Sequence, residues 1–139
     1  MRKVTVQTDD FRETLIQVAI EARKWAYVPY SGYPVGAAIL TSSGRIYEGA
    51  NIENAAFPTT ICAERVAVFK AVSEGERQFT ALAVVTANAG FPCGSCRQVL
   101  AEFGLDTIVI IADTEGKMIR EITVNGLLPG AFTPQFLQE

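Results

Sequence analysis

The chain has no histidine. Imidazole is the commonest metal ligand and the usual acid–base group near neutral pH, so any site here must work without it. Cysteine is scarce, at three residues. That is an odd number, too few for a disulfide framework and one short of a four-thiolate metal site. A basic excess is also missing: 12 Lys and Arg stand against 15 Asp and Glu, a net charge of -3, with a pI near 5.0. Proteins that depend on phosphate contacts carry a positive footprint, so no nucleic-acid partner is expected. No run approaches the ~18 apolar residues of a membrane span. The start, Met1 to Thr5, lacks the apolar stretch of a signal peptide. No membrane partner is expected, and cytoplasmic residence is the default. Cysteines kept reduced there serve metals or catalysis more than disulfides.

What is present is a composition of 49% hydrophobic and 19% charged residues over 139 positions, which argues for a folded core over disorder. One domain spanning residues 1–139 is the simplest reading, since a chain of this size buries roughly two thirds of its unfolded surface. No repeat, linker or low-complexity segment interrupts it.

Phe11, Leu15, Val18, Ala19, Ala22, Trp25 and Ala26 recur at three- and four-residue steps, which predicts a helix from about Asp9 to Ala26. Thr8 or Asp9 can cap it, and Pro29 ends it. Strands are predicted over Val35 to Leu40 and Ile46 to Ile52, joined by a turn at Ser42-Ser43-Gly44. A polar stretch, Asn54 to Thr60, precedes a helix from Ala63 to Ser73 that Gly75 stops. Ala81 to Thr86 is a continuous apolar run, as in a buried strand. After a loop at Ala87 to Pro92 come a short helix over Gln98 to Phe103, a buried strand over Thr107 to Ala112, a turn, and a last strand over Met118 to Val124. That short turn favours an antiparallel hairpin. The order predicts an α/β fold with a mixed sheet covered by helices.

The chemistry gathers around the cysteines. Cys62 lies two residues before Glu64, and about thirty residues later Pro92-Cys93-Gly94-Ser95-Cys96-Arg97 supplies two more sulfurs. Three thiolates with an open fourth position suit a catalytic zinc ion better than a structural one. Both clusters stand where helices are expected to open, and a helix N-terminus stabilises thiolates. Three thiolates and Zn²⁺ carry net negative charge. Arg65 and Arg97 could offset it by donating to the sulfurs, Arg65 being the candidate outer partner. Glu64 is the candidate proton shuttle, able to take a proton from water and return it to a substrate. Other readings remain at this level. Cys93-Gly94-Ser95-Cys96 could be a redox pair, or a carboxylate could complete a structural zinc site. Glu64 and the arginines could be ordinary helix residues. Asn51 and Glu53, two apart on an extended segment, face one side and offer acceptors to hydroxyl donors.

The C-x-E and P-C-x-x-C spacing is the three-cysteine form of the zinc deaminase signature. With Tyr30-Ser31-Gly32-Tyr33-Pro34-Val35-Gly36-Ala37-Ala38, Asn51-Ile52-Glu53-Asn54-Ala55, Cys62-Ala63-Glu64-Arg65, Pro92 to Val99 and Leu127-Leu128-Pro129, the chain resembles the small homotetrameric cytidine deaminases over nearly its whole length. The resemblance implies a three-layer α-β-α sandwich with a mixed five-stranded sheet, and one Zn²⁺ per subunit held by Cys62, Cys93 and Cys96. It implies that Glu64 activates the attacking water and protonates N3 of cytosine, so that cytidine and 2′-deoxycytidine become uridine and 2′-deoxyuridine with loss of ammonia, as in pyrimidine salvage. Asn51 and Glu53 would hold ribose hydroxyls, Tyr33 and Ala63 would line the pocket, and Phe132 would reach the base of a neighbouring subunit. Other substrates of the superfamily, such as a nucleotide, a polynucleotide or a nucleoside antibiotic, fit the charge and the Asn51–Glu53 pair less well. The chain departs from the family pattern at Ala50, at Phe57, at Tyr33, where Phe is usual and the extra hydroxyl is expected near the sugar, and in a short Ala87 to Phe91 loop.

Overall fold

The computed structural model describes residues 2–3 and 11–138. Its strands are β1 (Arg2–Lys3), β2 (Gly36–Thr41), β3 (Arg45–Ala50), β4 (Phe79–Val85), β5 (Ile108–Ala112) and β6 (Met118–Thr123). Its helices are α1 (Phe11–Arg23), α2 (Ala63–Ser73), α3 (Gly94–Phe103) and the single turn α4 (Val124–Leu127). The sheet runs in the order β1-β3-β2-β4-β5-β6. Five of these strands are the expected mixed sheet, and the two-residue β1 adds to its edge through Ile46 and Arg45. β4 and β5 pair in parallel across the α3 connection, whereas β2–β3, β2–β4 and β5–β6 are antiparallel. Thr8 and Asp9, the expected caps of α1, lie outside the described residues.

Strand residues alternate between two cores, as period-two geometry requires. On one face Ala38, Leu40, Ala81, Ala83, Val85 and Ile110 meet Leu15, Val18 and Ala19 of α1. On the other Ala37, Ile39, Leu82, Val84, Val109 and Ile111 meet Ala67, Val68 and Ala71 of α2, and Leu100 and Ala101 of α3. Each fully buried Leu, Ile or Val contributes about 1.5–3 kcal/mol of transfer free energy. The result is the three-layer α-β-α arrangement. Among the described residues, no helix is long and apolar enough to cross a membrane.

α1 stops at Arg23, short of the expected Ala26. Lys24, Trp25 and Ala26 donate to carbonyls only three residues back, and Tyr27 leaves to bridge Ile52. Gly75, at φ +95°, terminates α2 as expected. Gly49 places the second helix: a Cβ there would collide with the Ala63 carbonyl, so only glycine lets the first turn of α2 lie directly on β3.

Candidate active site

Cys62 and Cys93 are the residues immediately before α2 and α3, in extended conformation, and Cys96 sits in the first turn of α3. The topology thus aims two helix N-termini at one point. Cys62 Sγ lies 3.8 Å from Cys93 Sγ, and Cys93 Sγ lies 3.5 Å from Cys96 Sγ. All three sulfurs fall within 4.8 Å of one another. Tetrahedral zinc with bonds of about 2.3 Å needs sulfur pairs about 3.8 Å apart, so the donor set and its spacing fit that ion. Cys96 is buried, Cys62 half-buried and Cys93 exposed. A hydrogen bond from Cys96, helped by Arg65, pulls the Cys62 thiol down to about 5. The Cys96 thiol is pushed up, first by that same bond and then by burial.

Arg65 sits in the first turn of α2 and its Nη2 donates to Cys62 Sγ at 3.3 Å. Among the described residues, its buried Nε has no hydrogen-bond partner. The bond to Cys62 holds the guanidinium still more firmly charged. Arg97 does not join the sulfurs. Its Nε donates to the Pro92 carbonyl and its Nη1 to the Leu127 carbonyl, both at 2.8 Å. One helical step past Cys96 rotates it by roughly 100°, which turns it toward the Pro92 bend and α4.

Glu64 is 5% exposed. Burial, with the Cys62 thiolate adding repulsion, pushes its carboxyl up to about 7, against the pull of its own backbone N–H and Arg65. A carboxyl poised there can both accept and return a proton near neutral pH.

Cys62, Glu64 and Cys93 form one wall of a pocket of about 300 Å³, which Ala63, Asn51, Glu53, Tyr33, Ser31, Gly90 and Phe91 also line. Asn51 and Glu53 face the same side, as their spacing predicts. Asn51 spans the backbone of the facing segment, accepting from Val35 N and donating to the Tyr33 carbonyl, each at 2.9 Å. Glu53 accepts from the N–H groups of Tyr30 and Ser31 at 3.0 Å and from the Ser31 hydroxyl. The Ser31 hydroxyl, more than the backbone donors, holds its carboxyl below the usual range.

Residues 9–112 match the family described as the cytidine and deoxycytidylate deaminase zinc-binding region. The chain belongs to that family. A cytidine deaminase of Halalkalibacterium halodurans is 53% identical over 131 residues, 92% of this chain and 98% of the relative. One from Sporosarcina psychrophila is 53% identical over 127 residues, 90% of this chain and 93% of the relative. The crystal structure of the Burkholderia pseudomallei cytidine deaminase superposes with a TM-score of 0.81 at 43% identity, over 86% of this chain and 97% of that one.

The two aromatic residues that the resemblance ties to the site, Tyr33 and Phe132, stand in different surroundings. The Tyr33 hydroxyl donates to Asn88 Oδ1 at 2.7 Å, which ties it to the 87–91 loop. Phe132 is 55% exposed, stacks on Phe136 and is not among the residues lining the pocket of its own chain. Sequence reasoning passed over Ser31, Thr86, Asn88 and Gly90. Ser31 stood inside a recognised block, but its role depends on the fold bringing it to Glu53.

Proposed function

We propose that the protein hydrolyses the C4 amino group of cytidine and 2′-deoxycytidine, giving uridine or 2′-deoxyuridine and ammonia, as a single-domain zinc enzyme of pyrimidine salvage. The observation that carries this reading is a buried carboxyl, Glu64, tuned to about 7 beside three clustered sulfurs, in a pocket whose other wall is the Asn51–Glu53 pair. Cys62, Cys93 and Cys96 would hold the zinc. When bound, the ion supplies the Lewis acidity that makes water a nucleophile at neutral pH.

Glu64 takes a proton from the attacking water and passes it to N3, so C4 gains an oxygen while the ring gains the proton. It then moves the remaining hydroxyl proton toward the departing amine, which leaves as ammonia. Asn51 and Glu53 each keep unused hydrogen-bonding capacity after their contacts within the chain, which suits ribose hydroxyls. The fixed charge of Glu53 repels a 5′-phosphate and favours a nucleoside over a nucleotide. Arg65 tempers the charge of the sulfurs. The exposed Phe132 fits a homotetramer whose sites lie at subunit interfaces, and reduced cysteines fit the cytoplasm. Loss of cytosine absorbance on adding cytidine to the zinc-loaded protein, compared with Glu64→Gln, tests the reading.

A further inference from the structure

Tyr33 joins two parts of the pocket that the chain keeps far apart in sequence. Its backbone is fixed from the sugar side: its N–H donates to Ser31 Oγ at 3.0 Å, and its carbonyl accepts from Asn51 Nδ2 at 2.9 Å. Its hydroxyl crosses to the opposite wall and donates to Asn88 Oδ1 at 2.7 Å. That oxygen also accepts from the Thr86 hydroxyl at 3.3 Å, which in turn accepts from the Gly90 N–H at 2.7 Å. The loop so held includes Ala89, a non-glycine residue at φ +54°, and leads through Phe91 and Pro92 into Cys93. A left-handed alanine costs free energy, so surrounding contacts must hold it. Gly90 is shaped to this arrangement, because a Cβ there would stand 2.7 Å from the Tyr33 hydroxyl oxygen.

We propose that Tyr33 is a positioning residue, whose hydroxyl latches the 87–91 loop and thereby sets the wall of the nucleoside pocket that leads into Cys93. The inference rests on the deaminase reading and deepens it. Tyr33→Phe keeps the ring and removes only the latch. With the zinc-loaded full chain, it raises the KM for cytidine about three- to tenfold and leaves kcat within about twofold. Asn88→Ala has the same effect, and the double variant changes KM no more than either alone. Gly90→Ala lowers both kcat/KM and the melting temperature. Adding Tyr33→Phe to it restores the melting temperature and returns kcat/KM to the level of Tyr33→Phe alone, since the remaining neighbours of the new methyl, Thr86 Oγ1 at 3.7 Å and Asn88 Oδ1 at 3.8 Å, are ordinary contacts. A wild-type KM in Tyr33→Phe, additive effects of the Tyr33 and Asn88 changes, or a Gly90→Ala melting defect that persists beside Tyr33→Phe would each overturn the latch. The melting cycle needs no substrate. Absence of cytidine turnover in the wild type would therefore count against the deaminase reading, and melting would still decide the latch.

Discussion

The two ends of the pocket are built on different principles. At the Asn51–Glu53 end, polar groups are already paired within the chain: Asn51 with Tyr33 and Val35, and Glu53 with Tyr30 and Ser31. At the sulfur end, charge is crowded and only partly matched. Three sulfurs meet two helix N-termini, Glu64 is pushed up to about 7, and among the described residues the buried Arg65 Nε has no partner. The first end is preorganised by hydrogen bonds, which fix orientation before a substrate arrives. The second is organised by burial and opposed charges, which tune reactivity. Recognition and chemistry are thus separable here, and substitutions can move one without the other.

The largest expected effect comes at the sulfur end. Cys96→Ala removes the buried donor; bound zinc falls well below one per subunit by elemental analysis, and cytidine turnover disappears. Retained zinc and activity would break the contrast. Glu53→Gln acts at the other end. It removes a charge-assisted set of hydrogen bonds worth about 1.5–3 kcal/mol, so KM rises by about 10- to 100-fold while zinc content is unchanged. Arg65→Gln sharpens the picture by touching charge but no ligand. Steady-state kinetics should show a fall in kcat/KM of about tenfold, with zinc still bound. The smallest effect on catalysis belongs to Leu15→Ala, on the sheet face opposite the site. It costs about 3 kcal/mol of stability in a denaturant titration and leaves KM for cytidine as it was.

Much of both ends was legible in the chain. The cysteine spacing located the three clustered sulfurs because two helix starts, marked by Pro92 and by the polar run before Cys62, are visible in local sequence. The alternation of Asn51 and Glu53 was legible because a strand end keeps period two. The sheet was legible from continuous apolar runs at β4 and β5, which only a doubly covered sheet tolerates. Less visible were features set by long-range packing. α1 ends early because Tyr27 is claimed by Ile52, although Trp25 and Ala26 keep the helical period. α4 forms across Asn125-Gly126 because the Thr123 hydroxyl accepts from Gly126 N, and a side chain in place of Gly126 would collide with Ile122. Arg97 was adjacent to a ligand in sequence, yet helical rotation sends it to backbone carbonyls. The Tyr33–Asn88 contact spans 55 positions, and no local pattern announces it.

The most direct test of the division between recognition and chemistry is the turnover of cytidine by wild type and Glu64→Gln, with zinc content measured on the same samples. The account predicts turnover in the wild type and a loss of about 10²- to 10⁴-fold in the variant, with zinc unchanged. A Glu64→Gln protein that keeps the wild-type rate would contradict it, because the buried carboxyl would then have no part in moving the proton.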